Sequence, residues 1–208
     1  MSDYFEFPNL GVSVSKLTDE QLAPMWREVD AIKANWDRNP KHNNKLMGQI
    51  EQEYTLIDSH THIESIVLAA VQEYLDKYDY SGRTNRMDDH ATSLSLAPPW
   101  VNFQRAGEEN PIHTHGGLMS FVIWLQLPYD IKTELAQAPG RASRRCLAGH
   151  FNFHWTDILG QLQHYHIPAD RTREGTLLIF PSELAHSVNP YYTSDEYRIS
   201  LSGNIFRT

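Results

Sequence analysis

Apolar side chains between residues 18 and 35 recur every three or four positions, with Leu22, Met25, Trp26, Val29 and Ile32 on one stripe. This spacing predicts a helix, and Thr18 with Gln21 three residues on supplies a capping box at its start. Ahead of it, residues 4–15 read as a short strand and turn. Behind it, the polar stretch 37–54 predicts a loop. A second stripe, carried by Ile63, Val67, Val71 and Tyr74 among others, predicts a helix over about 62–78. The segment 77–90 then breaks the pattern.

From about residue 98 the period changes. Short β-branched and aromatic runs separated by turn residues replace the helical stripes: WVNFQRA, LMSFVIWLQL, GHFNFHW, GTLLIFP, AHSVNPYY and YRISLSGNIF. Two helices followed by many short strands predict a mainly β fold with N-terminal helices, a sandwich or barrel with the helices packed on one face. No linker divides the 208 residues, so a single domain is expected, with a helical support region over 1–95 and the β core over 96–208.

Composition narrows the function classes. Hydrophobic residues at 40% and charged residues at 21% describe an ordinary globular protein. The formal net charge of −8 argues against a general phosphate-binding surface and so against nucleic acid; RASRRC at 141–146 is the one dense basic stretch. Cys146 is the single cysteine, which excludes an intramolecular disulfide and a cysteine-built zinc site. The start MSDYFEFPNL lacks the basic and apolar regions of a secretory signal, and no apolar run approaches the roughly 20 residues of a membrane span. A cytoplasmic protein with no membrane partner is the expectation.

Eleven histidines are many for this length, and histidine is the commonest metal ligand. The tripeptide His-Thr-His occurs twice. At 60–62 it precedes the second helix, where Thr61 and Glu64 would form a capping box and the two imidazoles would not face one direction; this copy reads as structural. At 113–115 it sits between a turn and a strand-like run. If extended there, His113 and His115 point to one face, and Gly116 and Gly117 leave room beside them. A third ligand is needed, and His186 after a predicted strand is the best candidate. Farther on, alternation puts Arg198, Ser200 and Ser202 on one strand face, opposite Ile199 and Leu201. An inward arginine needs an anion, and its planar fork suits a carboxylate; the other reading is an exposed ion pair with Glu196.

His-x-His, a long insert, a distal histidine and then Arg-x-Ser a dozen residues on make a recognisable order. Over 100–128 and 175–206 the sequence resembles the double-stranded β-helix oxygenases that use iron(II) and 2-oxoglutarate. Within them it is most similar to the prolyl-hydroxylase-like group common in marine bacterial and phage genomes. The resemblance implies a jelly-roll core. It also implies iron(II) held by His113, His115 and His186, 2-oxoglutarate held by Arg198 with Ser200, and dioxygen as co-substrate.

One departure stands out: the usual second ligand is acidic, and here it is His115. In a shifted register His115 would be the first ligand, with Gly117 at the acidic position. Asn102, Gln104, Ser120 and Trp124 alternate along neighbouring strands and are candidates to line the pocket. His150, His154, His164 and His166 read as ordinary sheet or lid positions, and 129–173 is the expected seat of substrate specificity. Three functions stay open: an iron(II)/2-oxoglutarate dioxygenase, with a hydroxylase of unknown substrate as the leading form; a cupin-like three-histidine dioxygenase without a 2-oxo acid; and a non-catalytic metal-binding barrel.

Overall fold

The computed structural model of the protein describes residues 10–43, 47–78 and 93–208. Residues 4–9 of the 4–15 segment and 79–90 of the 77–90 segment therefore lie outside the described residues. Strand β1 (Ser13–Lys16) leads into helix α1 (Asp19–Ala34), whose capping box is formed by Thr18 and Gln21 as the sequence predicts. Strand β2 (Gln52–Thr55) and helix α2 (His60–Tyr78) follow. The remaining elements are β3 (Leu94–Leu96), β4 (Trp100–Gln104), β5 (Asn110–His113), β6 (Met119–Gln126), α3 (Ile131–Gln137), β7 (His150–Thr156), β8 (Leu162–Pro168), β9 (Thr176–Pro181), β10 (Ala185–Val188) and β11 (Arg198–Arg207).

The strands form two antiparallel sheets. The larger runs β1-β9-β6-β11-β4-β2, with β3 also pairing β11, and the smaller runs β5-β10-β7-β8. Two hydrophobic layers explain why β6 reads as an unbroken apolar run instead of an alternating one. Its Phe121, Ile123 and Leu125 pack outward against Met25, Val29, Ile63 and Val67 of the two helices. Its Val122 and Trp124 pack inward, between the sheets, with Phe151, Phe153 and Phe180. A strand covered on both faces has no solvent side to make polar. This is the double-stranded β-helix arrangement that the sequence predicts.

Two expectations fail. The polar stretch 37–54 is not all loop: its end is β2, an edge strand paired with β4, with Glu53 opposite Asn102 and Tyr54 opposite Val101. Only its last two residues, Tyr54 and Thr55, favour a strand, too short a run to stand out from the polar stretch, and it is held by burial of Tyr54 in the helix-side core. Nor does Thr61 cap α2. The helix begins at His60, which puts Thr61 inside it, and Glu64 Oε1 accepts from the Leu96 N–H instead. The turn leading into α2 is capped from a distance by Glu28 of α1, only 2% exposed, which accepts from the backbone N–H groups of Ile57, Asp58 and Ser59, from the Ser59 hydroxyl and from Asn39. Burial opposes ionisation of Glu28, but these hydrogen bonds together overcome it and hold its carboxyl below the ordinary range.

Candidate metal and co-substrate centre

Strands β5 and β10 pair so that His113 and His186 sit directly opposite. His115 lies two residues beyond β5, its backbone N–H bonded to the Ser182 carbonyl. Each of the three imidazoles offers a nitrogen such that all three lie within 4.8 Å of one another, the one such cluster among the described residues. Ring centroids are 4.3 Å apart for His113 and His186, 4.9 Å for His113 and His115, and 5.1 Å for His115 and His186.

The backbone fixes two of the rings. His113 Nδ1 meets the Pro111 carbonyl at 2.7 Å, and His186 Nδ1 meets the Leu184 carbonyl at 2.9 Å. A carbonyl only accepts, so both Nδ1 atoms carry the proton and both Nε2 atoms keep a lone pair. Burial, helped by repulsion among the neighbouring histidines, pushes His186 down to about 3 and His115 down to about 4. Burial also lowers His113, against its bond to Pro111. All three are neutral at physiological pH, the state in which imidazole binds a metal. Gly117 is a poor seat for a side chain: its φ is +106°, and a Cβ there would lie 2.9 Å from the Ile205 carbonyl.

The histidines share a cavity with Arg198, Ser200, Ser120, Asn102 and Trp124. Arg198, at the start of β11, is 2% exposed. Its guanidinium bonds the Tyr129 hydroxyl at 3.2 Å, and its backbone N–H donates to the Tyr191 hydroxyl. Tyr129 and Tyr191 stack at 4.8 Å and wall it in. Among the described residues no carboxylate forms an ion pair with it, which rules out the exposed pair with Glu196. A buried cation in that condition calls for an external anion. Trp124, 1% exposed, has an indole N–H with no partner, a second donor waiting in the same space.

Of the four residues expected to line the pocket, Asn102, Ser120 and Trp124 do so. Gln104 does not. It pairs with Arg198 across the sheet, but its side-chain amide turns away to the Glu108 carbonyl, closing the turn between β4 and β5. Alternation fixes the face of a strand but not how far along it the cavity extends. Ser200 Oγ accepts from Asn102 Nδ2 at 3.3 Å. His150, His154, His164 and His166 all lie on the small sheet, as expected, with His154 and His164 bonded to each other through Nδ1 and His166 bonded to Asn152. Of the stretch 129–173, only Phe151 lines the cavity. The first His-Thr-His is occupied with backbone: His60 Nε2 bonds the Leu96 carbonyl and His62 Nε2 the Gln21 carbonyl.

The donor set fits iron(II): three neutral imidazole nitrogens leave coordination positions open, and the buried guanidinium beside them suits a dicarboxylate.

Known proteins bear this out at the level of family and fold. The family model for 2OG-Fe(II) oxygenases matches residues 98–204, just over half of the chain. No curated protein matches. Among solved structures, a Pseudomonas putida prolyl-4-hydroxylase superposes with a TM-score of 0.57 at 17% identity, covering 96% of this chain and 94% of that one. A viral collagen prolyl hydroxylase from Paramecium Bursaria Chlorella virus-1, solved with 2-oxoglutarate, gives 0.52 at 12% identity, covering 93% and 94%. The alpha ketoglutarate dependent epimerase of nogalamycin biosynthesis gives 0.54 at 12% identity, covering 95% and 76%. Because the matched segment takes in over half of the chain, with all three clustered histidines and Arg198 inside it, the protein belongs to the 2OG-Fe(II) oxygenase family and is an iron(II)- and 2-oxoglutarate-dependent oxygenase.

Proposed function

We propose that the protein hydroxylates its substrate, with iron(II) on His113, His115 and His186 and 2-oxoglutarate on Arg198 and Ser200. The observation that carries this assignment is the buried guanidinium of Arg198, without a carboxylate partner and in one cavity with the three histidines. When bound, iron(II) and 2-oxoglutarate supply the oxidation, in which dioxygen is consumed and the 2-oxo acid leaves as succinate and carbon dioxide. The chain's own part is to bind, orient and keep water out. The Pro111 and Leu184 carbonyls aim the Nε2 lone pairs. Tyr129 holds the guanidinium in place for the distal carboxylate, and the Trp124 N–H adds a donor beside it.

The hydroxylase assignment, and membership of a prolyl-hydroxylase-like group, draw support from two solved relatives whose names carry that activity. The epimerase on the same fold is why the reaction has to be measured. The comparisons lend no weight to a marine or phage origin. Among the described residues no helix is long and apolar enough to cross a membrane.

Anaerobic addition of iron(II) and then 2-oxoglutarate should produce the weak visible metal-to-ligand charge-transfer band. Admission of oxygen should yield succinate. Arg198→Ala should keep its iron yet bind 2-oxoglutarate about 30-fold more weakly or worse, with Arg198→Lys recovering only part, since lysine keeps the charge and loses the fork. Unchanged 2-oxoglutarate affinity in folded, iron-loaded Arg198→Ala would remove the co-substrate from this centre and leave a three-histidine site of the cupin kind.

A further inference from the structure

The inner face of the large sheet carries one row of polar residues set side by side on four adjacent strands. Trp124 of β6 lies opposite Ser200 of β11, Ser200 opposite Asn102 of β4, and Asn102 opposite Glu53 of β2. Three of these four have a buried polar atom without a partner: the Trp124 N–H, Asn102 Oδ1 and Glu53 Oε1. The three residues are 1%, 5% and 1% exposed. Asn110 of β5 adds another unpaired oxygen, Oδ1, and lines the same cavity as Asn102.

The orphans are sorted by kind. On the β6 side the orphan is a donor, the indole N–H of Trp124, and the guanidinium of Arg198 lines the same cavity. On the β4, β5 and β2 side every orphan is an oxygen. Strands lie about 4.8 Å apart, so Glu53 is roughly 10 Å from β11, the width of a small molecule. Gly48 lets the acceptor group close up: a Cβ there would meet Asn110 Oδ1 and come within 3.4 Å of Glu53 Oε1. Leaving a buried acceptor unpaired is unfavourable, and leaving several together in one native wall marks a place kept for a ligand.

We propose that this acceptor wall is the recognition site for the primary substrate, and that it selects a protonated amine or guanidinium, taken up by Asn102 Oδ1 and Asn110 Oδ1 with the Glu53 carboxylate behind them. This rests on the oxygenase assignment above, and it adds the substrate's chemical class. The cavity then has two polar ends, donors at Arg198 and Trp124 and acceptors at Asn102 and Asn110, with Val122, Phe151 and Phe180 also in its lining. The anionic co-substrate sits against Arg198 and the cationic group of the substrate lies across the sheet from it, so neither competes for the other's pocket. Burial, with the nearby charge of Glu108, pushes the Glu53 carboxyl up to about 7, and a cation brought against it would favour its ionised form. Asn43 Nδ2 meets its other oxygen at 3.2 Å. An anionic substrate head placed against this wall would face the unpaired oxygens of Asn102 and Asn110 and is disfavoured there.

The test uses a matched set of probes, butylamine, 1-butanol and butyrate, binding to the full chain under anaerobic conditions with iron(II) and 2-oxoglutarate. Calorimetry reads the binding, and the charge-transfer band reports on the centre. Butylamine should bind at least about tenfold more tightly than the alcohol and more tightly still than the acid. Glu53→Gln and, separately, Asn110→Ser should each erase most of that preference while the band persists. Should butyrate bind as well as butylamine, the amides present nitrogen to the cavity and the proposal fails. No measurable amine binding, or full preference in folded Glu53→Gln, sinks it as well. Loss of the band in the wild-type protein is a different failure, that of the oxygenase assignment, and the calorimetric amine preference is read regardless.

Discussion

The tripeptide His-Thr-His does two different jobs in this chain, and the difference is which ring nitrogen the backbone takes. At the start of α2, His60 and His62 use Nε2 to reach carbonyls of Leu96 and Gln21, on separate elements and in separate directions. At the end of β5, and again on β10, an extended backbone brings the carbonyl two residues back within reach of Nδ1. The outer nitrogen is then left free, and pairing of the strands gathers these atoms at one point. Identity of sequence settles nothing until the backbone conformation is known. The local device is not sufficient either: His150 makes the same bond to Ala148 but joins no metal-ligating cluster among the described residues.

The comparison is broken most directly at the second copy. Alanine at His113, His115 or His186 should lower iron(II) affinity by more than about 100-fold, since even loss of an outer-shell partner of a metal ligand commonly costs 10- to 100-fold. Metal titration monitored by calorimetry checks this. Normal iron binding in His113→Ala, with 2-oxoglutarate binding strengthened by chloride, would instead favour the register in which His115 is the first ligand and Gly117 stands at the acidic position.

A different kind of loss is expected where the first copy begins. Glu28→Ala strands three backbone N–H groups at the entry to α2 and should destabilise the fold by about 3 kcal/mol, read by urea unfolding, with iron affinity per folded molecule unchanged. The same carboxylate gives a pH signature. Its folded pKa is lowered, so its contribution is complete above the ordinary value of 4.5 and is lost as the pH falls through the folded value. Glu28→Gln should therefore show a shallower loss of stability than the wild type as the pH falls through and below 4.5.

Smaller effects sharpen the contrast. Replacing both His60 and His62 by alanine removes two side-chain hydrogen bonds and should cost about 2 kcal/mol or less, with iron affinity unmoved. A marked fall in iron binding by that double variant would contradict the structural role of the first copy. Smallest of all, Thr61→Ala should change stability by under about 0.5 kcal/mol, because Thr61 is exposed within the helix and the cap belongs to Glu28.

What the sequence could be made to say divides along the range of the interaction. The capping box of α1 is contained in four residues and was legible, as were the six strand runs after residue 98, whose pattern follows from burial on one or both faces. Arg198 was legible because alternation placed it inward and a charge there demands a partner. Glu28 was not, since the N–H groups that it satisfies lie about thirty residues away and in the sequence it is one more polar position on a surface helix. Glu53 was hidden for the same reason, inside a stretch whose polarity reads as loop. Gln104 shows the converse limit: the face was right, but its side chain is spent on the turn beside it.

Strand β11 carries Arg198 and Ser200, and it lies in the middle of the large sheet, paired to β6 on one side and to β4 and β3 on the other. It is also translated after every strand that it joins. While the chain is being made, β4 and β6 therefore present open edges toward the same gap, with the apolar Phe121, Ile123 and Val101 beside them. Until the ribosome releases the last ten residues of the sheet there is no continuous large sheet for the helices to rest on, and the edges of β4 and β6 stay open to pairing with another copy. The arginine that anchors the co-substrate thus arrives with the strand that closes the fold, so a ribosome stalled before residue 198 holds neither.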